Sequence, residues 1–200
     1  MEITTTHTHA NKGDWDKESF HALFNEYYPV VCRYTYSIVN DIEQAKDISA
    51  ELFCNLWQQR GHTSIHTNLK NYLLVSARRM ANKYLHQLAK ERNGNQEAQY
   101  FIDLTTSNTA NQYQQLVSRE SRVKLDKILL KISPLRKEII DLKLLGLNNK
   151  EIAIVMNLSY KKIEYQLKEA IRELQEEIKA VPELQAELVF LIVNLVLVLS

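Results

Sequence analysis

The chain is poor in the residues that interrupt helices. Only 4 glycines and 3 prolines occur among its 200 residues. A protein built from many short strands needs frequent turns, and those turns depend heavily on Gly and Pro. The hydrophobic fraction is 45% and the net charge is +1, a composition that favours a folded core over a disordered chain. We therefore expect an all-α protein, long enough for two small helical domains.

Cysteine usage and the N-terminal sequence narrow the class of protein. Two widely spaced cysteines do not make a disulfide scaffold, and residues 1–15 lack the apolar run of a secretory signal. The sequence contains no CxxC pair, no Gly-rich phosphate loop and no convergent set of histidines. These features predict a cytoplasmic protein that is not an enzyme, with no catalytic site, metal site, cofactor or small-molecule substrate.

Apolar residues form a first block of helical periodicity over residues 16–92, after an N-terminal tail (1–15) that we expect to be disordered. Asn40 and Asp41 interrupt the pattern, and Gly61 is a plausible helix stop in a loop over residues 60–67. Pro29 lies inside the first stripe and is a candidate for a kink. The block thus predicts three amphipathic helices, whose apolar stripes run from Phe20 to Ile38, from Ala45 to Trp57 and from Leu69 to Leu88.

Residues 93–112 separate this block from a second one. They are rich in Asn, Gln and Thr and contain no Lys or Arg, which is typical of a flexible linker. The second block, residues 113–180, opens with a helix whose apolar positions lie between Leu116 and Leu129. Ser133 and Pro134 then predict a helix start, with Ser as the N-cap and Pro in the first position.

The end of the second block has the pattern of a helix-turn-helix. Gly146 predicts the end of one helix, Asn148 and Glu151 resemble a capping box for a short helix, and Ser159 predicts the cap of a last helix. Inward positions are Ile152, Ala153, Val155, Ile163, Leu167, Ala170 and Leu174. A short helix followed by a longer cationic helix suits a major groove, although a helical hairpin with a solvated charged face is the alternative. The outward residues that could reach phosphates or base edges are Ser159, Tyr160, Lys161, Lys162, Glu164, Tyr165, Lys168 and Arg172.

The order of these stretches resembles a known family. Phe20 to Pro29, Ala45 to Trp57 and Asn71 to Leu85 are similar to the three helices of region 2 in bacterial extracytoplasmic-function sigma factors of the sigma-70 family. Leu130 to Glu138 and Gly146 to Ala153 are similar to region 4 of the same family. The resemblance implies two helical domains joined by a flexible linker, and a protein that binds core RNA polymerase and opens promoter DNA.

The resemblance also implies roles for particular residues. The second helix of region 2 is the family's main contact with the coiled coil of the β′ clamp, and the polymerase β flap is a further expected partner. Acids predominate between residues 14 and 51, which suits a basic partner helix. Burial in the core is the alternative for Phe53 and Trp57. The expected core-polymerase contacts are Asp47, Glu51, Leu52, Phe53, Asn55 and Trp57.

The third helix of region 2 resembles the part that recognises and melts the −10 element. Melting requires cations for the backbone and polar or aromatic groups for unstacked bases. Bases predominate between residues 60 and 92, although core packing is the alternative for Tyr72. The expected −10 contacts are Asn71, Tyr72, Arg78, Arg79, Asn82, Lys83, His86 and Lys90. The outward residues of the last helix are expected to contact the −35 element.

The extreme C-terminus (181–200) is a hydrophobic tail. Its apolar run from Leu188 to Leu199 is shorter than the roughly 20 residues that span a bilayer. The run could pack back on the protein, contact a partner such as an anti-sigma factor, or touch a membrane. Such ends resemble those of sigma factors of the iron-starvation, TonB-linked uptake group, which implies an anti-sigma factor in the inner membrane.

Two other functions are compatible with parts of the sequence. A helix-turn-helix regulator would bind duplex DNA without core polymerase, and a helical adaptor would use its charged faces only for solubility. The acidic second helix followed by a basic third helix favours the sigma factor, because it supplies separate surfaces for polymerase and for single-stranded DNA.

Overall fold

The structure, a computed structural model, describes residues 15–62, 68–92 and 132–180. Within these ranges the chain forms α-helices and no strand, which confirms the expected all-α class. The chain divides into two compact units between Tyr84 and Leu85. The expected N-terminal tail, the linker 93–112, the helix from Leu116 to Leu129 and the hydrophobic tail 181–200 lie outside the described residues.

The first two helices are α1 (Lys17–Val39) and α2 (Ile42–Gln58). Asn40 ends α1 in the left-handed conformation, with φ 54°, and the side chain of Asp41 accepts hydrogen bonds from the first backbone N–H groups of α2. These two residues form the interruption that the sequence predicts. α1 continues as one helix through Pro29, whose side chain is exposed.

α1 packs against α2 through an aromatic cluster centred on Phe53. The Phe53 ring centroid lies 5.1 Å from that of Phe24 and 5.9 Å from that of Tyr28. Phe53 is only 2% exposed, whereas Trp57 is half-buried at the edge, 4.8 Å from the Phe20 ring. The sequence left burial in the core open for both Phe53 and Trp57. The structure buries Phe53 among the rings of α1 and leaves Trp57 partly exposed.

The third helix, α3 (Leu69–Arg92), begins directly after Asn68. The Asn68 side chain accepts a hydrogen bond from the backbone N–H of Lys70, at 2.9 Å, as expected for a residue that starts a helix. This start agrees with the sequence prediction. The buried apolar residues of α3 are Leu69, Leu73, Leu74, Ala77 and Ala81.

The described part of the second unit contains α4 (Pro134–Leu144), with Pro134 in its first turn. The Ser133 side chain forms no capping hydrogen bond, so Ser133 is the N-cap by position only. At the other end, Gly146 has φ 81°; its N–H donates to the Lys143 carbonyl, and the N–H of Leu147 donates to that of Leu142. These two bonds make a Schellman motif, for which Gly is the favoured residue.

α5 (Asn149–Met156) and α6 (Tyr160–Ala180) follow with a tight turn between them. The capping box expected at Asn148 and Glu151 is present, with both reciprocal hydrogen bonds formed. Asn157 ends α5 at φ 53°, and the hydroxyl of Ser159 accepts from the N–H of Lys162 at 3.3 Å. The helix-turn-helix predicted from the capping pattern is therefore present.

The three helices of this part pack against one another in every pair. Of the residues predicted to face inward, only Ala153 is not fully buried. No helix in the part of the chain that the structure describes combines the length and apolarity needed to cross a membrane. The apolar core of α4–α6 consists of Ile139, Ile140, Leu142, Leu147, Ile152, Val155, Met156, Ile163, Leu167, Ala170 and Leu174.

Candidate nucleic-acid interface

The outer face of α6 is cationic and aromatic. Tyr160 and Tyr165 are 42% and 55% exposed, and Glu164 is half-buried. Phosphates are bound by such cations, while aromatic and polar groups between them can reach base edges. The structure therefore places the expected −35 residues on the surface of one helix or at its cap. Besides the two tyrosines, the exposed residues of this expected −35 set are Ser159, Lys161, Lys162, Lys168 and Arg172.

The charged groups on this face differ in how they are paired. Arg172 forms an ion pair with Glu169 at 2.6 Å. Lys161, Lys162 and Lys168 form no ion pair within the described ranges, so their ammonium groups are available to an anion. The Glu164 carboxylate is hydrogen-bonded with the Tyr160 hydroxyl, and this contact raises the pKa of Tyr160, while the side chain of Asn149 acts in the opposite direction.

A set of contacts that the sequence did not reveal connects α4 with α6. The Arg136 guanidinium donates from Nε to Gln166 at 3.0 Å and from Nη1 to the Glu173 carboxylate. Its Nη2 lies 4.0 Å from Glu169. These partners lie 30 to 37 residues from Arg136, so no local pattern indicates the contact. The only available signal was the spacing of Gln166, Glu169 and Glu173, which puts three acceptors on one side of a helix.

The basic residues of α3 form a second exposed row. Arg79, Lys83, His86 and Lys90 are all exposed and follow one another at intervals of three or four residues, so they lie on one side of the helix. Tyr72, Arg78 and Asn82 are half-buried. We call the four exposed residues the α3 basic row.

Asn71 is an exception among the expected −10 residues. Its side chain is 3% exposed, and its Oδ1 atom is buried with no hydrogen-bond partner. The structure therefore does not bring Asn71 to the surface of the α3 basic row. A buried amide oxygen without a partner carries an energetic cost.

The expected polymerase-binding residues of α2 divide into two sets. Asp47, Glu51 and Asn55 are exposed at intervals of four residues and form one polar row, which also includes the exposed thiol of Cys54. Leu52 and Phe53 are 4% and 2% exposed, so they belong to the core and not to this exposed row, contrary to the expected polymerase contact. We call Asp47, Glu51 and Asn55 the α2 acidic row.

Trp57, the last of these residues, is held by Arg60 just beyond the helix. The Arg60 guanidinium lies 3.9 Å from the centre of the Trp57 ring, and its Nη1 donates to the Trp57 carbonyl at 2.9 Å. Together the cation–π contact and the hydrogen bond fix the chain where it leaves α2. Among the described residues, no group of three or more His, Cys, Asp or Glu side chains could hold a metal ion.

Comparison with protein families finds one match in each half of the chain. Residues 23–91 match the family description Sigma-70 region 2, and residues 122–174 match Sigma-70, region 4. The first range covers α2, most of α1 and all of α3 except Arg92, and the second includes the helix-turn-helix. Together the two matches extend over more than half of the chain.

A solved structure with the same fold comes from Bartonella quintana. It is described as the sigma factor RpoE in a co-crystal with the anti-sigma factor NepR. The match has a TM-score of 0.58 and 18% identity, and it covers 82% of this chain and 99% of that chain. A comparison with curated protein sequences finds no significant match.

Proposed function

The chain belongs to the sigma-70 family, whose members direct promoter-specific transcription, and it carries regions 2 and 4 of that family. We propose that it is a sigma factor of the extracytoplasmic-function type and that three described surfaces divide its work. The α2 acidic row binds core RNA polymerase, the α3 basic row acts at the −10 element, and the outer face of α6 reads the −35 element. A sigma factor is an initiation factor, and the polymerase carries out the chemistry.

The −35 assignment depends mainly on the unpaired cations of α6. Lys161, Lys162 and Lys168 are exposed and have no ion-pair partner in the described chain. A lysine without an internal partner loses little when it binds a phosphate, and binding releases counterions from the DNA. Tyr165 and Glu164 lie among these cations, where they can approach base edges.

The −10 assignment depends on the α3 basic row. Four cationic or potentially cationic side chains along one side of a helix can follow a single strand of DNA. Tyr72, Arg78 and Asn82 border this row and supply aromatic and polar groups for unstacked bases.

The polymerase assignment depends on the α2 acidic row. Asp47 and Glu51 are exposed one helical turn apart, with Asn55 one turn further. Two carboxylates and an amide at this spacing suit a basic helical partner, and the β′ clamp coiled coil is the partner that we propose. Region 4 would contact the β flap. Trp57 contributes the apolar margin of the surface, held in place by Arg60.

We also propose regulation by an anti-sigma factor. The solved structure with the same fold is a sigma factor bound to such a protein. The apolar run from Leu188 to Leu199 is a candidate contact for an anti-sigma factor in the inner membrane, as in the TonB-linked uptake group. The sigma factor itself would then be a cytoplasmic protein that is held at the membrane until a signal releases it.

Run-off transcription tests these assignments directly. Purified protein is added to core RNA polymerase from the source bacterium with a pool of its genomic promoter fragments. We expect new transcripts from a small set of promoters that share two sequence elements. The variant Lys161→Glu should weaken these starts, and Glu176→Gln, which changes an exposed acid on the same helix, serves as the control.

Each surface has its own contradicting result. If Lys161→Glu transcribes as well as the wild-type protein, the −35 assignment of α6 is wrong. If Glu51→Lys still binds core polymerase normally, the assignment of the α2 acidic row is wrong. Specific binding of the free protein to duplex promoters, with no new transcripts, would instead support the helix-turn-helix regulator.

A further inference from the structure

Arg136 contacts three consecutive turns of the last helix. From the first turn of α4 it reaches Gln166 at 3.0 Å, the Glu173 carboxylate and, at 4.0 Å, Glu169. The spacing of three and then four residues places these partners along one side of α6. A planar guanidinium with its donors in a fixed fork is suited to several acceptors at once, and a lysine could not satisfy them together.

These contacts are largely shielded from water. The side chain of Arg136 is 19% exposed, Gln166 is buried, and the second carboxylate oxygen of Glu173 is buried with no hydrogen-bond partner. A carboxylate in this position depends on its cation, because a shielded charge without a partner is strongly destabilising. The angle of α6 against α4 is therefore constrained by polar contacts as well as by apolar packing.

The same contacts separate positive from negative charge on α6. Between residues 160 and 176 the helix carries four bases and four acids. Lys161 and Lys168 lie on the outer face, whereas Glu169 and Glu173 lie on the side that Arg136 contacts, in line with Lys162. Without Arg136, the Glu173 carboxylate would have no cation in the described chain, whereas Glu169 would keep its ion pair with Arg172 at 2.6 Å. An uncompensated carboxylate on α6 would repel the phosphates that the lysines attract.

We propose that Arg136 is a positioning residue for −35 recognition. It fixes the orientation of α6 and neutralises Glu173, so that the cationic face meets the DNA. Arg136 itself does not touch the DNA. The inference depends on the proposed role of α6 at the −35 element, and it adds a residue that lies outside the helix-turn-helix.

The measurement is the dependence of transcription on the −35 element. Holoenzyme is tested on a promoter with its own −35 element and on the same promoter with that element scrambled, and the ratio of transcripts is recorded. We expect Arg136→Met to lower this ratio at least threefold. Adding Glu173→Gln should recover part of the loss, because the carboxylate that lost its cation is then neutral. Glu176→Gln is the matched control and should leave the ratio unchanged.

Folding is followed in parallel by helical circular dichroism and thermal unfolding. If Arg136→Met does not fold, Arg136→Lys replaces it, since this variant keeps the charge but cannot bond Gln166 and Glu173 together. A twofold or greater fall in the ratio for Arg136→Lys supports the proposal. An unchanged ratio overturns it, even if the melting temperature falls, because Arg136 would then act on stability alone.

The ratio for the wild-type protein distinguishes a failure of the proposed α6 role from a failure of the proposed Arg136 role. A wild-type ratio near one would show that the −35 element is not read, so that the proposed role of α6 fails and the role of Arg136 fails with it. A wild-type ratio well above one, unchanged in the Arg136 variants, would overturn the role of Arg136 alone.

Discussion

At the scale of single residues, two helix starts in the second unit provide a natural comparison. The Asn148 side chain accepts from the N–H groups of Lys150 and Glu151, both at 3.0 Å, whereas Ser133 makes no such bond. We expect Asn148→Ala to lower the free energy of unfolding by about 1 kcal/mol, because two N–H groups lose their acceptor. Urea unfolding measures this. Ser133→Ala is the control and should cost much less; equal losses would contradict the role of the cap.

Tyr27 predicts a dependence of stability on alkaline pH. Burial, together with the hydrogen bond and the charge of Glu26, raises the pKa of Tyr27 to about 12. In the unfolded chain a tyrosine releases its proton near pH 10, so the folded state retains a proton that the unfolded state has lost. This contribution to stability is complete below pH 10 and is lost as the pH rises towards 12.

The variant Tyr27→Phe removes this ionisation. We expect its free energy of unfolding to fall less steeply than that of the wild-type protein between pH 10 and pH 12, as measured by urea unfolding at several pH values. The difference in the free energy of unfolding between the two proteins at pH 8 serves as the reference. Parallel curves over the whole alkaline range would show that Tyr27 does not cause the dependence.

At the scale of the helix, most of the secondary structure was predictable because its signals are local. The break at Asn40 and Asp41, the turn at Gly146 and the capping box at Asn148 each depend on residues within one helical turn. The contacts between helices were less predictable. Phe53 and Trp57 lie on the same side of α2, and only the rings of α1 decide which one is buried.

The candidate surfaces show the same limit. Periodicity identified the exposed residues of α3 and α6, since exposure follows from the position of the apolar stripe. It could not identify the burial of Asn71, which is 3% exposed, or the contacts of Arg136 with residues 30 to 37 positions away. Such contacts depend on the angle between helices, which no short segment of sequence determines.

The α3 basic row allows a prediction about one step of initiation. Lys83→Glu reverses an exposed charge in the middle of this row, so we expect promoter opening to fall about tenfold, the effect of about 1.4 kcal/mol. Binding to core polymerase should change little. Permanganate reactivity reports opening, and competition with labelled sigma factor reports core binding.

The control for this prediction is Lys17→Glu, which reverses an exposed lysine at the start of α1. It should affect neither measurement. An equal loss of opening and core binding in Lys83→Glu would remove the α3 basic row from the −10 element and assign it to the polymerase surface instead.

At the scale of the whole molecule, the two surfaces that we propose to bind DNA belong to different family regions. Residues 23–91 match region 2 and contain Lys83, while residues 122–174 match region 4 and contain Lys161. Effects of substitutions at separate sites with no shared partners usually add in free energy. We therefore expect the transcription defects of Lys83→Glu and Lys161→Glu to multiply in the double variant.

Run-off transcription of the two single variants and the double variant measures this directly, on a promoter with both elements. Scrambling the −35 element should abolish the additional effect of Lys161→Glu and leave that of Lys83→Glu. If the double variant transcribes as much as the less active of the two single variants, both lysines serve one step. This result would contradict separate roles for regions 2 and 4.

The exposed thiol of Cys54 makes the surface that we propose for polymerase binding open to chemical labelling. Cys54 lies beside Asn55 in the α2 acidic row, while Cys32 is half-buried and burial raises the pKa of its thiol. A maleimide dye would therefore react first at Cys54, without any engineered cysteine. Cys54 can therefore report on binding to core polymerase. If core polymerase covers α2, the rate of alkylation should fall. Dye attached to Cys54 beforehand should impede assembly of the complex.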